Sequence, residues 1–256
     1  MEAEPNLIVT KHGSADPSVP RVVLVHGAMD RARSFRRVLE YLPDIRVVLY
    51  DRRGYGDSLE AGPPTSLAHH VDDLLDLIGD EPAVVVAHSF GSHVAVKAAI
   101  ACPDRFVALG LWEPPVPWME FWPAQARRNL EALTAAIDPA EVGERVYRAM
   151  VGEDEWRRLP EELKMRRRSE GLAFTIDLAA ELEAPYDWAD LRVPVLLGYG
   201  TSTWPYSRDA ATTLAGMLGA EVFTIDGAAH SAHVSHPEQF AGFVRRARSV
   251  SAHVDL

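Results

Sequence analysis

Short runs of β-branched and aliphatic residues recur along the first half of the chain, and a helical pattern follows most of them. The runs are Arg21–His26, Arg46–Tyr50, Ala83–Ala87 and Phe106–Trp112. Their apolar residues are continuous rather than alternating, which is typical of strands that are buried on both faces. Such strands form parallel sheets with helices on either side. The sequence therefore predicts an α/β fold with a mostly parallel sheet covered by helices.

The alternation of strand and helix stops at Pro114 and returns only at Val193–Tyr199. The intervening residues carry helical patterns and a basic stretch, Arg166–Arg168, which we expect on a solvated helix face. A structureless connection of that length is uncommon in a compact domain. We therefore expect a core of residues 1–113 and 191–256, interrupted after its fourth predicted strand by a helical insertion over residues 114–190.

The composition argues against several classes of protein. A formal net charge of −11 on 256 residues argues against a nucleic-acid partner, because phosphate binding needs a basic face. The single cysteine, Cys102, excludes an intramolecular disulfide, and no run reaches the ~20 apolar residues that cross a bilayer. Residues 1–6 lack the features of a signal peptide. We expect a cytoplasmic protein with a small-molecule substrate and no membrane partner; its oligomeric state stays open.

The pentapeptide Ala87–Gly91 follows a predicted strand and opens a predicted helix. In that setting Ser89 lies on a tight turn that holds its hydroxyl out at the end of the strand, as a nucleophile requires. The helix N-terminus offers unpaired N–H groups there, so the Phe90 N–H is a candidate donor to an oxyanion. The alternative is a serine that merely caps an ordinary helix.

The segment His26-Gly27-Ala28-Met29 ends an earlier strand. A turn at this point can aim the Ala28 N–H at the same site as the Phe90 N–H, which would complete an oxyanion hole. Met29, next in the turn, is a candidate substrate contact. The alternative is a plain strand end in which Gly27 makes the turn.

His230 closes the segment Gly227–His230, directly after the last predicted strand. A histidine in that loop can reach the serine and accept its proton, so His230 is the candidate base. The rival histidines are His88, His93, His233 and His236. The first two are too close to the serine in sequence for easy geometry, and the last two lie further from the strand end.

The remaining histidines, His12, His69, His70 and His253, are expected at the surface. No group of histidine, cysteine and aspartate residues has the sequence spacing of metal ligands, so no metal is predicted.

Taken together in this order, the motifs resemble those of the α/β-hydrolase superfamily, over nearly the whole chain. Asp51–Ser58 is similar to the family's Asp-x-Arg-Gly-x-Gly-x-Ser loop, and the histidine loop is followed by the family's Pro-Glu at Pro237. The resemblance implies that the helical insertion is a cap over the active site. It also implies the order nucleophile, acid, histidine for a catalytic triad.

The acid departs from the commonest family pattern, because the loop Gly200–Pro205 contains no carboxylate. A histidine base still requires an acceptor for its second nitrogen. Glu113 ends the fourth predicted strand, where some family members, including certain haloalkane dehalogenases, place the acid. The alternative is that Glu113 pairs with a neighbouring cation or caps the insertion, and Asp209 is the next candidate acid.

Within this superfamily, dehalogenases and epoxide hydrolases carry an aspartate at the position of Ser89. The serine therefore implies a carboxylesterase-like serine hydrolase that needs no cofactor. Trp204, in the loop that usually holds the acid, is a candidate substrate contact, and aromatic residues in the insertion favour a small apolar substrate. Several alternatives stay open, because the fold does not fix the substrate. They are hydrolysis of a lactone, thioester, amide or carbon–carbon bond, cofactor-free perhydrolase chemistry of the haloperoxidase kind, and a non-catalytic ligand-binding role.

Overall fold

The computed structural model describes residues 7–135, 138–183 and 186–250. The predictions made for residues 1–6 and for His253 concern parts of the chain outside those ranges. Within them, no helix is both long enough and apolar enough to cross a bilayer.

The core is a seven-stranded sheet in the order β1-β3-β2-β4-β5-β6-β7. The strands are β1 (Val9–Gly13), β2 (Arg21–Val25), β3 (Arg46–Tyr50), β4 (Ala83–His88), β5 (Phe106–Trp112), β6 (Val195–Gly200) and β7 (Glu221–Ile225). Strand β1 pairs antiparallel with β3, and every other pairing is parallel. The predicted α/β fold with a mostly parallel sheet is confirmed. The edge strand β1 was not predicted, because its five residues are all exposed and form no apolar run.

Helices cover both faces of this sheet. They are α1 (Arg36–Leu39), α2 (Leu67–Ile78), α3 (Gly91–Ala101), α4 (Ala124–Thr134), α5 (Pro139–Val151), α6 (Glu153–Arg158), α7 (Glu161–Ser169), α8 (Gly171–Leu182), α9 (Pro205–Leu218), α10 (Ala232–Ser235) and α11 (Pro237–Val250). In β4, Val85 packs in the layer that contains Leu74 of α2, whereas Val84 and Val86 pack in the layer that contains Phe243 of α11. Since successive strand residues point to opposite faces, a strand covered on both sides must be apolar throughout.

The helices α4 to α8 lie between β5 and β6, and α8 contacts the core through buried polar groups. The Arg52 guanidinium donates to Asp177 of α8 at 2.8 Å, and both side chains are completely buried. Asp177 also accepts from the Tyr55 hydroxyl at 2.6 Å and lies 3.0 Å from Nε2 of His70. Burial alone would raise the pKa of Asp177, but the charges of Arg52 and His70 outweigh it and hold that pKa at about 2. The prediction of a surface position for His70 is therefore wrong.

The basic stretch at the end of α7 also differs from its predicted solvated position. Arg167 is buried and pairs with Glu170, and Arg166 donates to the Gly56 carbonyl at 2.8 Å and to Asp57 at 2.6 Å. Charge patterning along one helix could not reveal the contacts of Arg166, because their partners lie more than a hundred residues earlier in the chain.

Candidate active site

Three non-glycine residues in the described ranges have φ in the left-handed region: Met29 at 53°, Ser89 at 53° and Glu113 at 47°. All three had been singled out from the sequence as candidate site residues. Each follows the carboxyl end of a parallel strand, so they share one edge of the sheet. Backbone of this kind costs about 1–3 kcal/mol per residue and is concentrated at functional sites, where the surrounding structure holds it.

Ser89 connects β4 to α3 in the predicted strand-turn-helix arrangement. Its N–H donates to the Trp112 carbonyl at 2.9 Å, which ties the turn to the neighbouring strand. A Cβ added to Gly91 would lie 2.7 Å from the His26 carbonyl oxygen, so only glycine fits there. The turn thus needs a small residue two positions after Ser89 and exposes that serine at the strand end.

Glu113 follows β5 directly, and its side chain is completely buried. Its carboxylate accepts from Nδ1 of His230 at 2.7 Å, from the Thr203 hydroxyl at 2.7 Å and from the Gly200 N–H at 3.0 Å. The end of β6 and the loop that follows it therefore do not carry the acid of the candidate triad. They supply hydrogen-bond donors to Glu113, which takes that place. Since Nδ1 donates to the carboxylate, the neutral ring of His230 keeps its lone pair on Nε2. Asp209, the second candidate, lies within α9.

The main chain of His230 is held by two side-chain donors. Nε1 of Trp112 and Nε2 of His88 both donate to its carbonyl oxygen, each at 3.1 Å. The rings of His88 and His230 are 4.6 Å apart. Within the described residues no hydrogen bond joins the Ser89 hydroxyl to His230, so that contact stays a prediction.

The two candidate oxyanion donors lie beside this turn. In the described part of the chain, neither the Ala28 N–H nor the Phe90 N–H donates to another protein group. A Cβ added to Gly27 would lie 3.0 Å from Cβ of Ser89, which brings the turn after β2 against the serine. Met29 is buried and packs with apolar residues of α5 and α8.

An aromatic group lies next to His230 at the start of α9. The Trp204 ring is 5.5 Å from the His230 ring and stacks almost parallel on Tyr206 at 5.9 Å. Trp122, from the segment between β5 and α4, is 4.6 Å from Tyr206. Trp204 is 52% exposed, which leaves its ring accessible to a ligand.

Sequence reasoning missed a second polar cluster beside the site. Asp30, His88 and His233 each offer a donor atom, and the three atoms lie within 4.8 Å of one another. These residues lie 58 and 145 positions apart, so no sequence spacing could reveal them. The prediction of no metal rested on sequence spacing alone, and it stays a prediction; the structure adds a group of side chains that could hold an ion.

A family model described as "Alpha/beta hydrolase family" matches residues 22–243 of the chain. The chain belongs to the α/β-hydrolase family. The match includes both strand-end turns, Glu113 and His230, so the hydrolase family assignment covers the whole candidate site.

Individual relatives cover less of the chain. It is 37% identical over 141 residues to lipase LipV of Mycobacterium tuberculosis, which covers 53% of this chain and 52% of that protein. It is 35% identical over 124 residues to epoxide hydrolase A of the same organism, covering 45% and 38%. The matched segment thus spans about half or less of these relatives. The enol-lactonase of Burkholderia xenovorans LB400 superposes with a TM-score of 0.70 at 22% identity, covering 95% of this chain and 96% of the enol-lactonase, which supports the fold alone.

Proposed function

We propose that this α/β hydrolase is a serine hydrolase that cleaves an ester-type bond through an acyl-enzyme on Ser89. One observation carries the proposal. A serine in left-handed backbone at the β4–α3 turn shares a sheet edge with a histidine whose Nδ1 is held by a buried glutamate at 2.7 Å. This is the arrangement that activates a hydroxyl group, because the base is oriented by a third residue.

In this mechanism Nε2 of His230 takes the Ser89 proton while Oγ attacks the substrate carbonyl carbon. The Ala28 and Phe90 N–H groups stabilise the oxyanion, and removal of one such donor typically costs about 3 kcal/mol. When the tetrahedral intermediate collapses, the carbon–leaving group bond breaks and His230 returns the proton to the leaving group. Water, deprotonated by His230, then cleaves the acyl-enzyme, and Ser89 regains its proton. Glu113 stabilises the imidazolium throughout.

The serine separates this proposal from epoxide hydrolysis, although epoxide hydrolases are among the relatives. Opening an epoxide through a covalent intermediate requires a carboxylate nucleophile, and the family's epoxide hydrolases carry an aspartate at this turn. Ser89 supplies a hydroxyl group, which suits attack on a carbonyl carbon.

The substrate is proposed to be small and apolar, bound between the core and the α4–α8 insertion acting as a cap. Trp204, Tyr206 and Trp122 form a continuous aromatic surface next to His230, where the leaving group or acyl chain of an ester would lie. Met29, packed between the strand end and the insertion, would contact the substrate from the opposite turn.

The test is hydrolysis of p-nitrophenyl esters of increasing acyl length by the wild type and by Ser89→Ala and Trp204→Ala. We expect the wild type to turn over, Ser89→Ala to lose at least ~10³-fold in kcat, and Trp204→Ala to shift the preferred acyl length. The control is Met217→Ala, because Met217 is an exposed residue of α9, the helix that follows Trp204. This variant should leave the preferred acyl length unchanged. A wild type inert on every ester, while correctly folded, would contradict the proposal.

A further inference from the structure

Asp30, His88 and His233 converge from three separate segments of the chain. Asp30 follows the turn after β2, His88 ends β4 and His233 lies in α10. Oδ2 of Asp30 is 3.2 Å from Nε2 of His233 and 3.9 Å from Nδ1 of His88. Both histidines are buried, and the Asp30 side chain keeps 16% of its surface exposed. The two histidines are thus enclosed by protein, and solvent reaches the cluster through the carboxylate of Asp30.

The chemistry of His88 matches that of a metal ligand. Its Nε2 donates to a carbonyl oxygen, so the lone pair of the neutral ring lies on Nδ1. That Nδ1 is buried and has no hydrogen-bond partner among the described residues. A ligating histidine typically donates its other N–H to a carbonyl or carboxylate, which is the pattern seen here.

Asp30 supplies the negative charge that a divalent cation requires. Its Oδ2 faces Nε2 of His233 at 3.2 Å. The Ser34 hydroxyl lies 3.1 Å from the same Oδ2 and 2.8 Å from the Arg31 carbonyl, so its one proton is shared between these two acceptors. His233 would bind through Nε2 once its ring proton has moved to Nδ1, which is buried without a partner among the described residues.

We propose that Asp30, His88 and His233 form a binding site for a divalent transition metal, with Zn²⁺ as the best fit. Bonds of about 2.0–2.2 Å at tetrahedral angles place ligand atoms roughly 3.3–3.6 Å apart. The two separations from Asp30, 3.2 and 3.9 Å, are within a few tenths of an ångström of that range, and the two histidine nitrogens lie within 4.8 Å of each other, so the rings would have to move together on binding. Two histidines and a carboxylate are a common zinc donor set, with a water completing the four ligands. The site is independent of the proposed hydrolytic chemistry.

Such an ion would join the turn after β2, the end of β4 and the histidine loop. These are the segments that carry Ala28, Ser89 and His230. Since the ion binds only the folded arrangement, it should raise the melting temperature, and the shift should grow with free metal concentration.

The experiment measures binding of Zn²⁺ by calorimetry and of Co²⁺ by its visible absorption, on full-length protein first treated with a chelator. We expect one equivalent to bind, a four-coordinate Co²⁺ spectrum, and a rise of a few degrees in Tm. Asp30→Asn, His88→Gln and His233→Gln should each weaken binding by at least ~10-fold. Asp30→Asn keeps the volume of the side chain, and circular dichroism and Tm without metal verify the folding of each variant.

Two control variants identify binding elsewhere. His236→Gln removes a nearby histidine outside the cluster, and His230→Gln removes the histidine of the candidate triad. Both should keep the one-equivalent site and the Co²⁺ spectrum. The proposal is overturned if the wild type binds no stoichiometric metal, or if binding is unchanged in the three cluster variants.

Discussion

The Trp112 indole donates a hydrogen bond to the carbonyl oxygen of His230 at 3.1 Å, across 118 positions of sequence. Trp112 is fully buried against Phe240 and Phe243, so this donor is rigid. The same residue accepts the Ser89 N–H through its own carbonyl. One tryptophan therefore fixes the main chain on both sides of the candidate catalytic pair.

Replacing Trp112 by phenylalanine removes that donor and keeps most of the ring contacts. We expect kcat for ester hydrolysis to fall by about 10–100-fold with little change in KM, because a small displacement of a catalytic base is costly. Trp156→Phe, a buried tryptophan of α6, is the matched control and should keep the wild-type kcat. Equal losses in both variants would show that the effect is a general loss of packing.

Glu113→Gln retains the shape of the side chain but removes the charge that faces His230. We expect kcat to fall by about 10²–10⁴-fold, since an amide neither stabilises the imidazolium nor enforces the correct tautomer. Asp209→Asn tests the other candidate acid and should be close to wild type. If Asp209→Asn were the more damaging variant, the assignment of the acid to Glu113 would be wrong.

Asp177→Asn leaves the guanidinium of Arg52 buried without its anionic partner. Breaking a buried pair in this way costs about 3–5 kcal/mol, so we expect a clear fall in the free energy of unfolding measured in urea. The control is Asp154→Asn, which breaks an exposed pair with Arg157 in the same insertion and should cost less than about 1 kcal/mol. Similar costs in the two variants would contradict a structural role for the buried pair.

The side chain of Glu181, in α8, should make the free energy of unfolding depend on pH. Burial, with a smaller contribution from Asp177, raises its pKa to about 8. In the unfolded chain this carboxyl ionises near pH 4.3, so the folded state binds the extra proton between about pH 4.3 and 8. The resulting stabilisation is present at low pH and is lost as the pH rises through 8.

Glu181→Gln should remove that dependence. We expect it to raise the free energy of unfolding by on the order of 2–4 kcal/mol at pH 9 relative to the wild type, with a smaller difference at pH 5. Glu183→Gln, at an exposed position two residues later, should follow the wild-type profile. A wild-type profile in Glu181→Gln would mean that this carboxyl ionises normally in the folded protein.

Local sequence patterns were sufficient for most of the sheet and for the location of the candidate site. Buried parallel strands such as β4 are apolar on both faces, and their ends are marked by turn residues, so Ser89 and His230 could be proposed from the strand ends, and Glu113 from its strand end together with the family resemblance. The edge strand β1 was missed because it forms its hydrogen bonds through the backbone and buries no residue. Hydrophobic periodicity reveals a strand through its buried residues, so it gives no signal for a strand that buries none.

Polar contacts distant in sequence were the part that could not be predicted. His70 was expected at the surface, yet it is buried against Asp177, which lies 107 positions later in the chain. Burial of a charged group depends on a partner that only the tertiary structure supplies. The cluster of Asp30, His88 and His233 could not be predicted for the same reason, because only the tertiary structure brings these residues together.

Covalent trapping asks whether Ser89 is an activated nucleophile. Wild type, Ser89→Ala and His230→Gln would be treated with a fluorophosphonate probe and analysed by intact mass and peptide mapping. We expect one adduct per wild-type chain, located on Ser89, no adduct in Ser89→Ala and much slower labelling of His230→Gln. A folded wild type that stays unlabelled, or an adduct on another residue that persists in Ser89→Ala, would contradict this role of Ser89.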